Sequence, residues 1–186
     1  MTAAADTSNP LPLIAYFSGV VNATLNVNHQ IYISKEFEFE LELEQGKSEA
    51  YSMFAFLPPQ SDVAFLYTRN AWQRYRSAFI ERQSADSEND DALIQRAVQR
   101  IDTCAVPVLL DSTGRFTVRK PIREHLGLTG RSDRQIVLVG NGRVIRLMTP
   151  KTYDEGIARK DDEIDALITD SLPFFGEGYA IDSERN

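Results

Sequence analysis

The chain has 186 residues, 42% of them hydrophobic, a single cysteine and a formal net charge of -7. That is enough apolar material for one domain or two small ones. No run approaches the ~18 apolar residues of a membrane span. Cys104 cannot close an internal disulfide, which fits a reducing cytoplasm, and the acidic balance taken alone argues against a nucleic-acid partner, because lysine and arginine drive phosphate binding.

Taken in order, residues 1–10 lack a basic stretch followed by an apolar one, so they read as a loose polar arm and not as a secretory signal. Leu25 and Val27, then Ile31 and Ile33, alternate with period two and predict strands on either side of a turn over 26–30. Over 36–44 phenylalanine or leucine alternates with glutamate, which predicts a further strand with Phe37, Phe39, Leu41 and Leu43 on one face. Its glutamates would form a solvated, edge-protecting face. Residues 53–57 and 63–67 predict two strands joined by Pro58-Pro59-Gln60-Ser61-Asp62, and Thr68 is placed to cap a helix through Trp72, Tyr75 and Phe79.

A polar stretch, 84–91, separates this helix from a second one over 92–102, with Leu93, Ala97, Val98 and Ile101 at helical spacing. A strand over 105–110, a turn over 111–115 and a strand over 116–118 follow. Residues 120–126 predict a short helix or turn, with Pro121 in its first turn and Gly127 at its end. Residues 136–139 and 144–147 flank Gly140-Asn141-Gly142, the strongest hairpin signal in the chain. Thr149-Pro150 predicts a helix start. In the tail, Ile164, Leu167, Ile168 and Leu172 predict an amphipathic face, and the apolar 172–179 segment would dock on the core or on a neighbouring subunit.

One phrase occurs twice. Leu25-Asn26-Val27-Asn28-His29-Gln30-Ile31-Tyr32-Ile33-Ser34-Lys35 recurs in register as Leu110-Asp111-Ser112-Thr113-Gly114-Arg115-Phe116-Thr117-Val118-Arg119-Lys120. Downstream of each, Leu66-Tyr67-Thr68-Arg69-Asn70-Ala71-Trp72 corresponds to Leu147-Met148-Thr149-Pro150-Lys151-Thr152-Tyr153. Two phrases in the same order predict duplication of one unit. The charge is divided unevenly between the copies. Residues 115–123 hold Arg115, Arg119, Lys120 and Arg123 with no acid, whereas 30–38 hold Lys35 against Glu36 and Glu38. Arg131 and Arg134 flank Asp133 and are secondary candidates.

The sequence Asp111-Ser-Thr-Gly-Arg115, followed by a strand, a proline-containing turn and Arg123, resembles the MraZ family, within the AbrB/SpoVT-type swapped-hairpin group. Residues 147–153 resemble it too, where a strand ends and a helix with an early aromatic begins. The resemblance implies an α+β fold in which two swapped-hairpin repeats form one pseudo-symmetric, barrel-like domain with flanking helices. The first repeat would span 14–83, with a degenerate signature, and the second 92–160, with its Asp-x-x-x-Arg intact. Residues 1–13 would be an arm and 161–186 a tail. Asn26 and Gln30 stand at the acid and arginine positions of the first copy, His29 where the second has Gly114, and Ser34 and Arg119 where a proline is common in the family.

The function the resemblance implies is a sequence-specific, DNA-binding transcriptional regulator, a repressor, in the cytoplasm and on the nucleoid. Its partners would be repeated operator sites on double-stranded DNA and further copies of itself in a ring. Arg115 would meet DNA with Asp111 bracing it, Arg119, Lys120 and Arg123 would contact phosphates, and Gln30 and Lys35 are the first copy's counterparts. The alternative is an oligomeric scaffold that kept the fold and lost DNA, favoured by the net charge and the acidic first unit. Nothing points to an enzyme, a metal or a cofactor. His29 and His125 lack a zinc pattern, Cys104 reads as a small buried hydrophobe, no P-loop motif is present, and Trp72 and Tyr153 read as core.

Overall fold

The structure is a computed structural model that describes residues 15–85, 91–130 and 133–158. Its elements run β1 (Phe17–Thr24), β2 (Gln30–Tyr32), α1 (Lys35–Gln45), β3 (Ala50–Phe56), β4 (Ala64–Thr68), α2 (Arg69–Ser84), α3 (Asp91–Thr103), β5 (Ala105–Asp111), β6 (Arg115–Thr117), α4 (Lys120–His125), β7 (Gln135–Gly142), β8 (Val144–Met148) and α5 (Pro150–Ala158). The eight strands form one antiparallel, nearly closed barrel in the order β1-β7-β8-β4-β3-β5-β6-β2. Residues up to Pro150 belong to one compact unit, and α5 beyond it belongs to a second. The expected arm, the tail face and its aromatic segment, Arg131 and most of the polar stretch after Ser84 lie outside the described residues.

Period-two strands put one face of each strand inside. Phe17, Leu25, Ile31, Tyr51, Met53, Leu66, Leu110, Phe116 and Leu138 are all buried there. Phe37 and Leu41 of α1, and Ile122 and Leu126 of α4, belong to the same core cluster. Each such side chain contributes about 1.5–3 kcal/mol on leaving water. Outside the barrel, α2 lies over Phe54, Phe56 and Tyr67. Trp72 stacks on Phe54 at 6.0 Å and on Tyr75 at 5.6 Å, so it is core, as the sequence implied. Burial pushes the Tyr67 hydroxyl up to about 12, with nearby Tyr75 adding to the shift. Ile94 and Val98 are the buried residues of α3, while Leu93 of the expected face is exposed. Arg76 of α2 pairs with Asp102 of α3 at 2.9 Å.

Two expectations are corrected. The 36–44 segment is helix α1 and not a strand. Ser34 Oγ accepts from Phe37 N at 3.3 Å and caps it. Phe37 and Leu41, four apart, enter the core, while Phe39 and Leu43 stay 57% and 47% exposed. A strand would have buried all four or none. Glutamate is a good helix former, so the alternation carries no cost in a helix. The predicted strand over Leu25 and Val27 is also absent: β1 ends at Thr24, Leu25 is buried, and Val27 is 76% exposed in the turn.

The hairpin β7–β8 forms as expected, but its two-residue connection is Gly142-Arg143, with Asn141 paired to Val144. Gly142 at φ +64° takes the left-handed first position that such a connection favours for glycine. Thr68 caps α2 by accepting from Ala71 N at 3.1 Å, and α4 stops at His125, before Gly127. Cys104 is half-buried and free, less enclosed than its apolar surroundings in sequence suggested.

Candidate nucleic-acid interface

The 111–115 turn is held by one carboxylate. Asp111 Oδ1 accepts from Thr113 N at 3.0 Å, Thr113 Oγ1 at 2.6 Å and Arg115 N at 3.1 Å. Its Oδ2 accepts from Arg115 Nε at 2.8 Å and lies 2.8 Å from Nη2. The Thr113 hydroxyl, then the Arg115 and Thr113 backbone N–H groups, then the Arg115 side chain hold the carboxyl down to about 2. The carboxylate in turn raises the guanidinium.

The 26–30 turn is built the same way with neutral groups. Asn26 Oδ1 accepts from Asn28 N at 2.8 Å and Gln30 N at 3.0 Å, and Asn26 Nδ2 donates to Gln30 Oε1 at 3.2 Å. In each turn the fourth residue donates back to the first residue's carbonyl: His29 N to Asn26 O at 3.0 Å, Gly114 N to Asp111 O at 2.9 Å. Both fourth residues are left-handed, His29 at φ 57° and Gly114 at φ 71°. Glycine takes that conformation without strain, whereas an L side chain in it is strained.

The turns meet through β2 and β6, which run antiparallel with Gln30 opposite Thr117, Ile31 opposite Phe116 and Tyr32 opposite Arg115. Ile33 N donates to Gly114 O at 2.9 Å, and Val118 N donates to His29 O at 2.8 Å. Each turn therefore abuts the start of the other half's helix. Ile31 and Phe116 point into the core. Alternation then turns Gln30, Tyr32, Arg115 and Thr117 outward. Gly114 is close to α1: a Cβ on it would lie 3.2 Å from Ile33 Cγ1 and 3.4 Å from Glu38 Oε2.

The expected site residues divide between these surroundings. Asp111 and Arg115 hold each other, Gln30 is held by Asn26, and Lys35 pairs with Glu38 of α1. Arg119 stands at the N-cap of α4, exposed and without a side-chain cap bond. Lys120 is exposed and lies 3.6 Å from Glu124. Arg123 donates from Nη1 to Val118 O at 2.7 Å. Lys120, Arg123 and Arg134 line a cleft of about 340 Å³ together with His29, Glu124 and Asp133. Two residues join the site that the sequence did not single out for it. Tyr32 lies directly opposite Arg115 across β2 and β6, a pairing of distant segments that spacing does not signal. His29 was signalled only by standing where the second copy has glycine.

Among the described residues no group of His, Cys, Asp or Glu is placed to hold a metal ion, and no helix is long and apolar enough to cross a membrane. No protein-family model matches the chain. It is similar to the transcriptional regulator MraZ of Thioalkalivibrio sulfidiphilus (strain HL-EbGR7), 23% identical over 162 residues that cover 84% of this chain and 98% of that protein.

Proposed function

We propose that this chain is a DNA-binding transcriptional regulator of the MraZ type that grips the phosphate backbone with Arg119, Lys120 and Arg123 and presents the outward face of β2 and β6 to a groove. The observation that carries the reading is the cationic run beside a two-stranded ribbon, Arg119 and Lys120 exposed and Arg123 half-buried, in a chain whose net charge is -7. A two-stranded ribbon fits the major groove of B-DNA, and phosphate contacts set affinity while base contacts specify. The similarity to a transcriptional regulator over 84% of this chain supports it. The fold is read as two swapped-hairpin units, 14–83 and 92–160. The reciprocal bonds between the turns and the repeated phrases support that reading. Repression at repeated operator sites, assembly into a ring and a place in the cytoplasm on the nucleoid complete it.

In this reading Arg115, tied to Asp111, positions the turn and offers its remaining N–H groups, while Gln30 and Lys35 contribute less because neighbours already engage them. Fluorescence anisotropy with duplex genomic fragments across a salt series tests it. Binding that weakens steeply with salt supports the reading, and Arg119→Ala or Lys120→Ala reduces the slope by about 1 each. No binding at low salt sinks it and favours the scaffold alternative, for which the exposed Phe39 and Leu43 among the glutamates of α1 speak.

A further inference from the structure

The cleft beside α4 draws its walls from both halves of the chain. His29 comes from the 26–30 turn, Lys120, Arg123 and Glu124 from α4, and Asp133 and Arg134 from the segment before β7. Two carboxylates thus face three fixed cations and one exposed imidazole. Both carboxylates have local partners: Glu124 lies near Lys120, and Asp133 Oδ2 accepts from Gly130 N at 3.2 Å. Arg123 is anchored by Val118 O through Nη1, which leaves a planar fork held in place for an anion.

His29 is the residue that stands out here. It holds a left-handed backbone where its counterpart is glycine. Glycine, which its counterpart uses, would satisfy the turn with less strain, so the turn geometry does not call for an imidazole. Strain kept at a cleft lined by cations points to a task for the side chain.

We propose that this cleft binds a phosphate group, with Lys120 and Arg123 as fixed ligands and His29 as a ligand that engages on taking up a proton. The proposal deepens the regulator reading only in the source of the phosphate, which is either the DNA backbone or a free phosphate anion. The groups facing His29 are Lys120, Arg123, Glu124, Asp133 and Arg134. An anion bound beside the imidazole favours its protonated form, so anion and proton bind together. The first copy of the phrase is then an active part of the site, because its turn delivers the titrating ligand to the other half's helix.

The chain has two histidines, and His125 is engaged through Nε2 by Val63 O at 3.1 Å, so proton NMR of the imidazole C2–H resonances reads the site directly. Spectra of the full chain are titrated between pH 5 and 8 alone, with inorganic phosphate, and with a short duplex. His29→Gly suits the left-handed turn and assigns the signal. The expected result is a rise in the His29 midpoint of about 0.5–1 unit with at least one probe, while His125 does not move, and loss of that response in Lys120→Ala. Movement with inorganic phosphate alone identifies a free-anion site, and movement with duplex only identifies a backbone contact. A His29 midpoint unmoved by either probe overturns the proposal. If anisotropy still detects duplex binding in that case, the regulator reading survives without it. A phosphate response in a chain that binds no duplex supports the cleft and sinks the regulator reading.

Discussion

Replacing Asp111 separates its two duties. Its carboxyl is drawn down from an ordinary 3.8 to about 2. A gap of that size corresponds to at most about 2.5 kcal/mol of stability at neutral pH. The side chain is 36% exposed, so screening brings the expected figure to about 1 kcal/mol. Asp111→Asn keeps the backbone caps, as Asn26 does in the other turn, and removes the charge. It is expected to cost about 1 kcal/mol at pH 7. Asp111→Ala also loses the caps and costs about 2–3 kcal/mol. Because the folded value lies below the unfolded one, this stability is complete above about pH 5 and fades as pH falls towards 2. About half of the difference between wild type and Asp111→Asn is gone by pH 3. Urea denaturation of the three proteins at pH 7 and pH 3 measures it. If Asp111→Asn matches wild type at pH 7, or the difference is undiminished at pH 3, the carboxylate does not hold the turn as described.

Other consequences are as direct. Phe37→Ala, at a buried ring packed edge-on to Phe17 at 5.6 Å, costs about 3–5 kcal/mol, whereas Phe39→Ala changes stability by less than about 0.5 kcal/mol; equal losses in denaturant midpoints would return 36–44 to a strand. Gly140→Ala places a Cβ 2.6 Å from Ser18 N and 2.8 Å from Phe17 C, and with backbone on both contacts the β1–β7 pairing must shift, so the melting temperature falls by more than about 5 °C. Tyr67, raised to about 12, gives late tyrosinate absorbance at high pH; since the folded value exceeds the unfolded one, its contribution is present below pH 10 and lost as pH climbs towards 12, and Tyr67→Phe removes the late step. His29→Gly leaves the chain at least as stable as wild type, because relief of left-handed strain offsets the added unfolded-state freedom, as thermal unfolding will read.

The sequence carried more than periodicity extracted from it. Residues 35–41 lie in register with 120–126, so the helix predicted for the second segment applied equally to the first. Phe37 and Leu41 correspond to Ile122 and Leu126, and all four are buried. Alternation over 36–44 pointed to a strand because half of its apolar residues, Phe39 and Leu43, face water, and a periodicity argument assumes that apolar means buried. The Asp111–Arg115 pair was legible because both partners lie within one turn. The division of the cations was not. Which turn reaches Arg119 and Arg123 depends on Gln30 pairing with Thr117, a contact between distant segments that spacing does not encode.

The exchange between β2 and β6 also governs how the chain can be made. Of its strand pairings, β1–β7, β2–β6, β3–β5 and β4–β8 all join residues before Ser84 to residues after Asp91. During synthesis the first half leaves the ribosome with open strand edges and half a core, and it waits for the rest. Such long-range closure places folding in the slow class, milliseconds to seconds, and leaves the nascent half with unpaired strand edges open to aggregation. It also makes the halves complementary fragments: chains cut between α2 and α3, each unstructured alone, should assemble on mixing into the same barrel.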